Sequence, residues 1–416
     1  MTLLSVSFLF CAQSTEPDAS DSVPFAVYSG DDSSLTFYKC RALPVEGSVF
    51  EGKTATAVYA NIQNTKSTPP WKGIARKIER VAVVDEGVTP QTMYAWFFNC
   101  ANLLSVNLSR LDTSKTTSLG YAFSRCKSLT DLDLSALDTS SVRSFADVFQ
   151  DCSSLRSVNL AGWDTSSGNN FRQMFIQCAS LEELDVSSFE TGNATTFKEM
   201  FYGCSSLRSL DLSHFDTSAA TTFASMFYNC AALATLDLSS FDTSNVETMA
   251  DLFTGCSRLA EVTLGESFAW VGSKCFLPQP SAGDIPGADG LWHAASDGVS
   301  YRPSAVPGNK ADTYRAIAPG GEGDAAEDDS DVSNGADPTG AAESANGAGA
   351  AEDSDNAGCA GSENAAGGAD TASGAGAPDS ENRAIAAESM MALGREDYMT
   401  ALAMANPSAA APSVVA

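Results

Sequence analysis

Positive charge and histidine are scarce in this chain. Only 24 Lys+Arg and two His stand against 52 Asp+Glu, leaving a formal net charge of -28 over 416 residues. Nucleic acid is gripped by clustered cations, so this deficit excludes direct nucleic-acid binding and disfavours anionic lipid surfaces. The two histidines, His214 and His293, fall in no metal-ligand spacing and beside no nucleophile motif. Neither a G-x-S-x-G elbow, a phosphate-binding loop nor a dinucleotide fingerprint occurs between a strand and a helix. The chain therefore reads as a non-enzyme without cofactor or metal. Long apolar runs are also missing: none reaches the ~18 residues of a membrane helix, so no integral membrane span is expected.

Aromatic residues are absent between Tyr314 and Tyr398. Residues 319–416 carry 18 acids against Arg383 and Arg395 in a background of Ala, Gly and Ser. Such a segment cannot bury enough apolar surface to offset the entropy of ordering. It is expected to be a disordered acidic stalk, with a short helix near 380–405 sketched by Ile385, Met390, Met391, Leu393 and Tyr398 and interrupted by Gly394. At the other end, Leu3 to Ala12 is a short apolar run followed by Gln13-Ser14-Thr15, with no Lys or Arg ahead of it. Two readings stay open: a signal peptide over 1–14, or a truncated start or first buried strand. No wall-sorting motif closes the chain.

What is present is a period. Seven of the 11 cysteines stand at 100, 126, 152, 178, 204, 230 and 256, a constant step of 26. A fixed step of this size is the signature of a solenoid. Apolar residues recur three, six, eight and eleven places after each Cys, as in Leu207, Leu210, Leu212 and Phe215. Their period of two is that of a strand with one buried face. A turn follows, written Asp112-Thr113-Ser114 in one copy and Asp242-Thr243-Ser244 in the last. These residues bond nearby backbone donors and start helices. Apolar residues at i, i+3 and i+4, such as Phe197, Met200 and Phe201, then predict one short helix per repeat. The fold class is an α/β repeat solenoid, leucine-rich-repeat-like, with one short strand and one short helix in each repeat.

The cysteine column invites a redox or metal reading, because stacked strands lie ~4.8 Å apart. Its odd membership, its apolar neighbours and the lack of a CxxC or His partner favour a small buried hydrophobe. Outside the column, a Cys40–Cys275 bridge is conceivable in an exported protein, although no spacing supports it. The acids of the turn column, Asp112, Asp138, Asp164, Glu190, Asp216 and Asp242, read as local caps, lacking the dense oxygen pattern of a calcium loop. Trp163 reads as a core replacement for Phe.

Both ends depart from the repeat. Upstream, Phe25 to Tyr28 and Leu35 to Tyr38 flank Gly30-Asp31-Asp32 as in a hairpin. Downstream, Leu291-Trp292-His293 and Val299-Ser300-Tyr301 bracket Ser296-Asp297-Gly298. The organisation expected is an N-terminal β cap over 15–77, a solenoid over 78–265, a C-terminal β cap over 266–318 and the stalk beyond. The copies typified by Met200-Phe-Tyr-Gly-Cys-Ser-Ser-Leu-Arg-Ser-Leu-Asp-Leu-Ser213 resemble the repeat of BspA-like leucine-rich-repeat surface proteins of bacteria. The flanks Pro70-Trp71, Phe268 to Gly272 and Thr313-Tyr314 are similar to that family's as well. The resemblance implies a secreted or bacterial cell-surface protein that adheres to host components or to neighbouring cells. The usual Asn of a leucine-rich repeat is replaced by Leu, Phe or Trp, so no Asn ladder is expected.

On the strand face, residues between the inward leucines point outward. Five after each Cys stand Ser105, Asp131, Ser157, Glu183, Ser209 and Thr235; seven after stand Asn107, Asp133, Asn159, Asp185, Asp211 and Asp237. The candidate partner-binding residues are Asn107, Asp131, Asp133, Asn159, Glu183, Asp185, Asp211 and Asp237. They would offer an acidic strip to a protein or glycan of host or neighbouring cells. Two alternatives remain: a solvated face that keeps the array soluble, and a structural, self-associating surface protein without a host ligand.

Overall fold

The computed structural model describes residues 22–64 and 68–318. The signal-peptide reading of 1–14, the stalk over 319–416 and its helix near 380–405 lie outside the described residues. Fourteen strands are assigned: β1 (Val23–Ser29), β2 (Ser34–Cys40), β3 (Val49–Phe50), β4 (Lys53–Thr54), β5 (Ala57–Ala60), β6 (Arg80–Val83), β7 (Ser105–Asn107), β8 (Asp131–Asp133), β9 (Ser157–Asn159), β10 (Thr235–Leu238), β11 (Glu261–Leu264), β12 (Trp292–Ala294), β13 (Ser300–Tyr301) and β14 (Asp312–Arg315).

The 26-residue step winds a solenoid, each repeat adding one rung. Strands of successive rungs pair in parallel and in phase, Leu132 opposite Val158 and Leu236 opposite Val262. A second line of parallel bridges runs from Ser118 through Ser144, Asn170, Thr196 and Thr222 to Thr248. Inside, equivalent side chains stack on one another. Phe149, Phe175, Phe201, Phe227 and Phe253 form a column with ring centroids 5.2–5.9 Å apart and planes within 16°. Each fully buried ring or leucine contributes about 1.5–3 kcal/mol, and no single rung could bury its own face.

The helix expected in each repeat is not formed. Its residues make a chain of tight turns in which every second N–H leaves for the next rung. Leu119, Tyr121, Phe123 and Arg125 donate to the carbonyls of Ser144, Ala146, Val148 and Gln150 at 2.6–3.1 Å. The alternate donors, Ala122, Ser124 and Cys126, close i to i+3 turns on Leu119, Tyr121 and Phe123. An α-helix would keep all of these donors to itself. The backbone is diverted by residues in the left-handed region, Tyr121 (φ 56°) and Arg125 (φ 64°) in one rung, Asp147 and Asp151 in the next. Packing of the i, i+3, i+4 apolar residues survives the change, which is why the pattern imitates a helix.

The rung strands fall in separate sheets, the strand expected in each repeat is not formed at 183–185 or 209–211, and the first and last of these sheets are extended by strands that do not belong to the repeat. At the start, β2 pairs in parallel with β6 and β1 pairs antiparallel with β2. Trp71, Trp96 and Phe37 plug this end: the Phe37 and Trp96 rings stack at 5.2 Å, and the Trp71 indole donates to Trp96 O at 2.6 Å. At the finish, β14 runs antiparallel to β11, with Glu261 opposite Arg315, and β12 and β13 extend the sheet. Trp292 and Tyr314 are buried there. Cys275 remains a buried thiol whose Sγ donates to Gly272 O at 3.2 Å, so the Cys40–Cys275 bridge is not made.

Candidate functional site

The strand face begins with an alternation. Leu132, Leu184, Leu210 and Leu236 turn inward and are buried, which forces the residues on either side outward. Asn107, Asp131, Asp133, Asn159, Glu183, Asp185, Asp211 and Asp237 are all exposed on this one face. They do not behave alike. In the early rungs the acids bond across to the next rung: Asp131 Oδ1 accepts the Ser157 hydroxyl at 2.6 Å, and Asp133 Oδ1 accepts the Asn159 amide at 3.0 Å. In the later rungs the bonds are local. Asp185, Asp211 and Asp237 each accept the backbone N–H two residues on, from Ser187, Ser213 and Ser239 at 2.8–3.0 Å, through Oδ1.

A shallow concavity of about 730 Å³ lies over the later rungs. Glu183, Asp185, Asp211, Asp237 and Glu261 line it, with the hydroxyls of Ser157, Ser209, Thr235 and Thr263 between them. Four of the eight candidates therefore share the concavity, whereas Asn107, Asp131, Asp133 and Asn159 lie outside its lining. Glu261 and Thr263 were missed by sequence reasoning; continuing the count of five and seven past Cys256 finds them. Hydrogen bonds from Ser187 and Ser213 hold the carboxyls of Asp185 and Asp211 below the usual range. Both are anions at neutral pH. Glu261 meets Arg315 Nε at 2.8 Å, which partly screens the far end.

The remaining columns are structural in their contacts. The serine two residues after Asp112, Asp138, Asp164 and Asp216 donates N–H and O–H to the turn acid, as Ser218 does to Asp216 Oδ1 at 3.0 and 2.6 Å. The residue after the turn acid is a buried threonine that, from Thr139 onward, links rungs, a role sequence reasoning missed. Thr165 Oγ1 donates to Glu190 O at 2.9 Å and accepts the Glu190 N–H at 2.8 Å; Thr217 treats Asp242 the same way. All seven column cysteines are free and buried. From Cys126 onward each Sγ donates to the Phe carbonyl of the preceding rung at 2.9–3.2 Å. Burial pushes the thiols of Cys152 and Cys204 up to about 12. Trp163 is buried and stacks near Phe145 and Phe189.

His293 lies on β12. It is buried, with Nδ1 2.8 Å from Ser300 Oγ and Nε2 3.1 Å from Asp289 Oδ1. His293 and Ser300 are direct cross-strand partners, a proximity that only the pairing of β12 with β13 creates. The imidazole ties this hairpin to the loop before it. His214 is exposed, with Nε2 3.0 Å from Val186 O.

A family model described as Mycoplasma protein of unknown function, DUF285, matches residues 91–209 and 159–264. The chain is similar to a repeat family of unknown function. The matched residues are solenoid rungs and include every residue lining the concavity. Among solved structures, a leucine-rich repeat protein from Eubacterium ventriosum is 16% identical, covering 59% of this chain and 85% of its own, with a TM-score of 0.18. No curated protein matches the chain. Among the described residues, no helix is long and apolar enough to cross a membrane.

Proposed function

We propose that this chain is a non-enzymatic recognition protein of the BspA-like kind, acting outside the cell or on its surface, that holds a partner on the strand face of its solenoid. The supporting observation is the concavity over residues 157–263, where five carboxylates and four hydroxyls converge on a preformed surface. Carboxylates at strand spacing suit a cationic segment of a protein, and interleaved hydroxyls suit hydrogen bonding to a polar partner such as a glycan. Binding here would strengthen at low salt and weaken as the carboxylates are screened.

The competing reading, self-association through sheet edges, has less support, because β1–β2 and β14 cover the two ends of the array. At the outermost N-terminal strand, the Val58 N–H is taken by Glu46 Oε1 at 3.1 Å, which blunts the edge further. Static light scattering of the full chain from micromolar to millimolar concentration separates the readings. A monomer throughout agrees with recognition, and concentration-dependent growth agrees with self-assembly. Probing the full chain against arrayed basic extracellular proteins and glycans then identifies the partner class.

A further inference from the structure

The turn wall opposite the strands carries one residue in an unusual setting. Five places before each Cys the chain is left-handed, and these positions read Ala95, Tyr121, Asp147, Gln173, Glu199, Ser225 and Asp251. Six of the seven are half-buried. Asp147 is 2% exposed, and its Oδ1 has no hydrogen-bond partner. Its backbone is pinned on both sides, the N–H donating to Arg172 O at 3.0 Å and the carbonyl accepting Gln150 N–H at 3.2 Å.

The groups around it are mixed in sign. The Tyr121 hydroxyl from the rung before donates to the carboxyl, and Arg172 from the rung after attracts it. Glu199 and Asp151 repel it. Arg125 lies 3.6 Å from Asp151, Lys198 lies 3.5 Å from Glu199, and Gln173 bonds Glu199. The nearby charges are thus largely occupied with one another. A carboxylate with one oxygen buried and unbonded is costly, and protonation removes most of that cost.

We propose that Asp147 is a proton-operated latch in the turn wall: the rungs around it pack tightest with this carboxyl protonated, and its ionisation releases local stability. Burial drives the group up to about 7, outweighing the pull of Arg172 and Tyr121. Once a rung opens, the carboxyl returns to an ordinary value near ~3.9. Its contribution is therefore full below about pH 4, falls as pH rises, and is lost above about pH 7. The exposed aspartates with lowered values are already ionised across this window and do not mask it.

The test is amide hydrogen exchange in the full chain over residues 119–126 and 145–152, corrected for intrinsic base catalysis. In the native sequence the opening constant should rise about tenfold per pH unit between pH 4.5 and 6.5, the response to one proton. Asp147→Asn should flatten that rise and match or exceed native protection at pH 6.5. Tyr121→Phe removes a donor that favours the anion, so its rise should continue to higher pH; this variant serves if Asp147→Asn does not fold. An unchanged slope in Asp147→Asn, a native curve without slope, or a Tyr121→Phe curve shifted to lower pH overturns the proposal.

Discussion

Cys152 Sγ donates to Phe123 O at 3.1 Å, and the same carbonyl accepts the N–H of Cys126 at 3.1 Å. One backbone oxygen thus closes a turn in its own rung and receives a thiol from the next. The arrangement repeats along the array, which explains a cysteine column without redox or metal chemistry.

Native thiols of this column should resist modification. Burial raises Cys152 and Cys204 to about 12, so at pH 8 almost no thiolate exists and no path reaches it. Thiol-reagent kinetics on the full chain should show the column cysteines reacting only after denaturation. Rapid native labelling of any of them would contradict the packing described.

Thr191 is buried and donates to Asp216 O at 2.8 Å. Thr191→Val keeps the shape and leaves that carbonyl one partner short. A loss of about 1–3 kcal/mol is expected from thermal or denaturant unfolding. The exposed Thr221→Val, whose hydroxyl bonds Thr195 O at the surface, should cost less than about 1 kcal/mol.

Gly255 stands at φ 84°, and a Cβ there would come within 2.0 Å of Asn229 Oδ1. Gly255→Ala should lower stability by about 1–2 kcal/mol from the left-handed backbone alone. Gln177 occupies the equivalent place at φ 60°. Gln177→Gly is expected to be neutral or slightly stabilising in the same unfolding assay.

Acid should loosen the array through the aspartates that accept serine bonds. Asp133, Asp164, Asp211 and Asp216 are held below the usual range by the hydroxyls of Ser135, Ser166, Ser213 and Ser218. A group lowered in the folded state adds stability above its unfolded value near ~3.9 and loses it as pH falls through the folded value. Melting temperature should therefore drop between about pH 4 and pH 2. Ser213→Ala combined with Ser218→Ala should make that drop shallower.

The solenoid was legible because its signal is arithmetic: seven cysteines at one step, with Leu207, Leu210 and Leu212 keeping strand phase behind one of them. The helix was misread because Phe197, Met200 and Phe201 are spaced as a helical stripe while their donors serve the neighbouring rung. A trace of the true backbone was present in the residue before each Cys, where Asn99, Gly203, Asn229 and Gly255 accept left-handed geometry. The strand-face acids were found from the alternation. Their division into cross-rung bonding in the early rungs and local bonding in the later concavity depended on neighbours such as Asn159 and Ser157, whose reach no linear pattern reveals. The contact of His293 with Ser300 came from strand pairing in the same way.

The central claim is that the acidic concavity over the later rungs carries recognition. It is tested most directly by titrating a cationic partner, identified from the arrayed proteins, against the full chain and the triple variant Asp185→Lys, Asp211→Lys, Asp237→Lys at two salt concentrations. Circular dichroism and melting temperature confirm that the variant folds. The account predicts that the variant loses at least tenfold in affinity and most of its salt dependence, while Asp131→Lys outside the concavity changes affinity less than threefold. Native affinity and native salt dependence in a folded triple variant would contradict it.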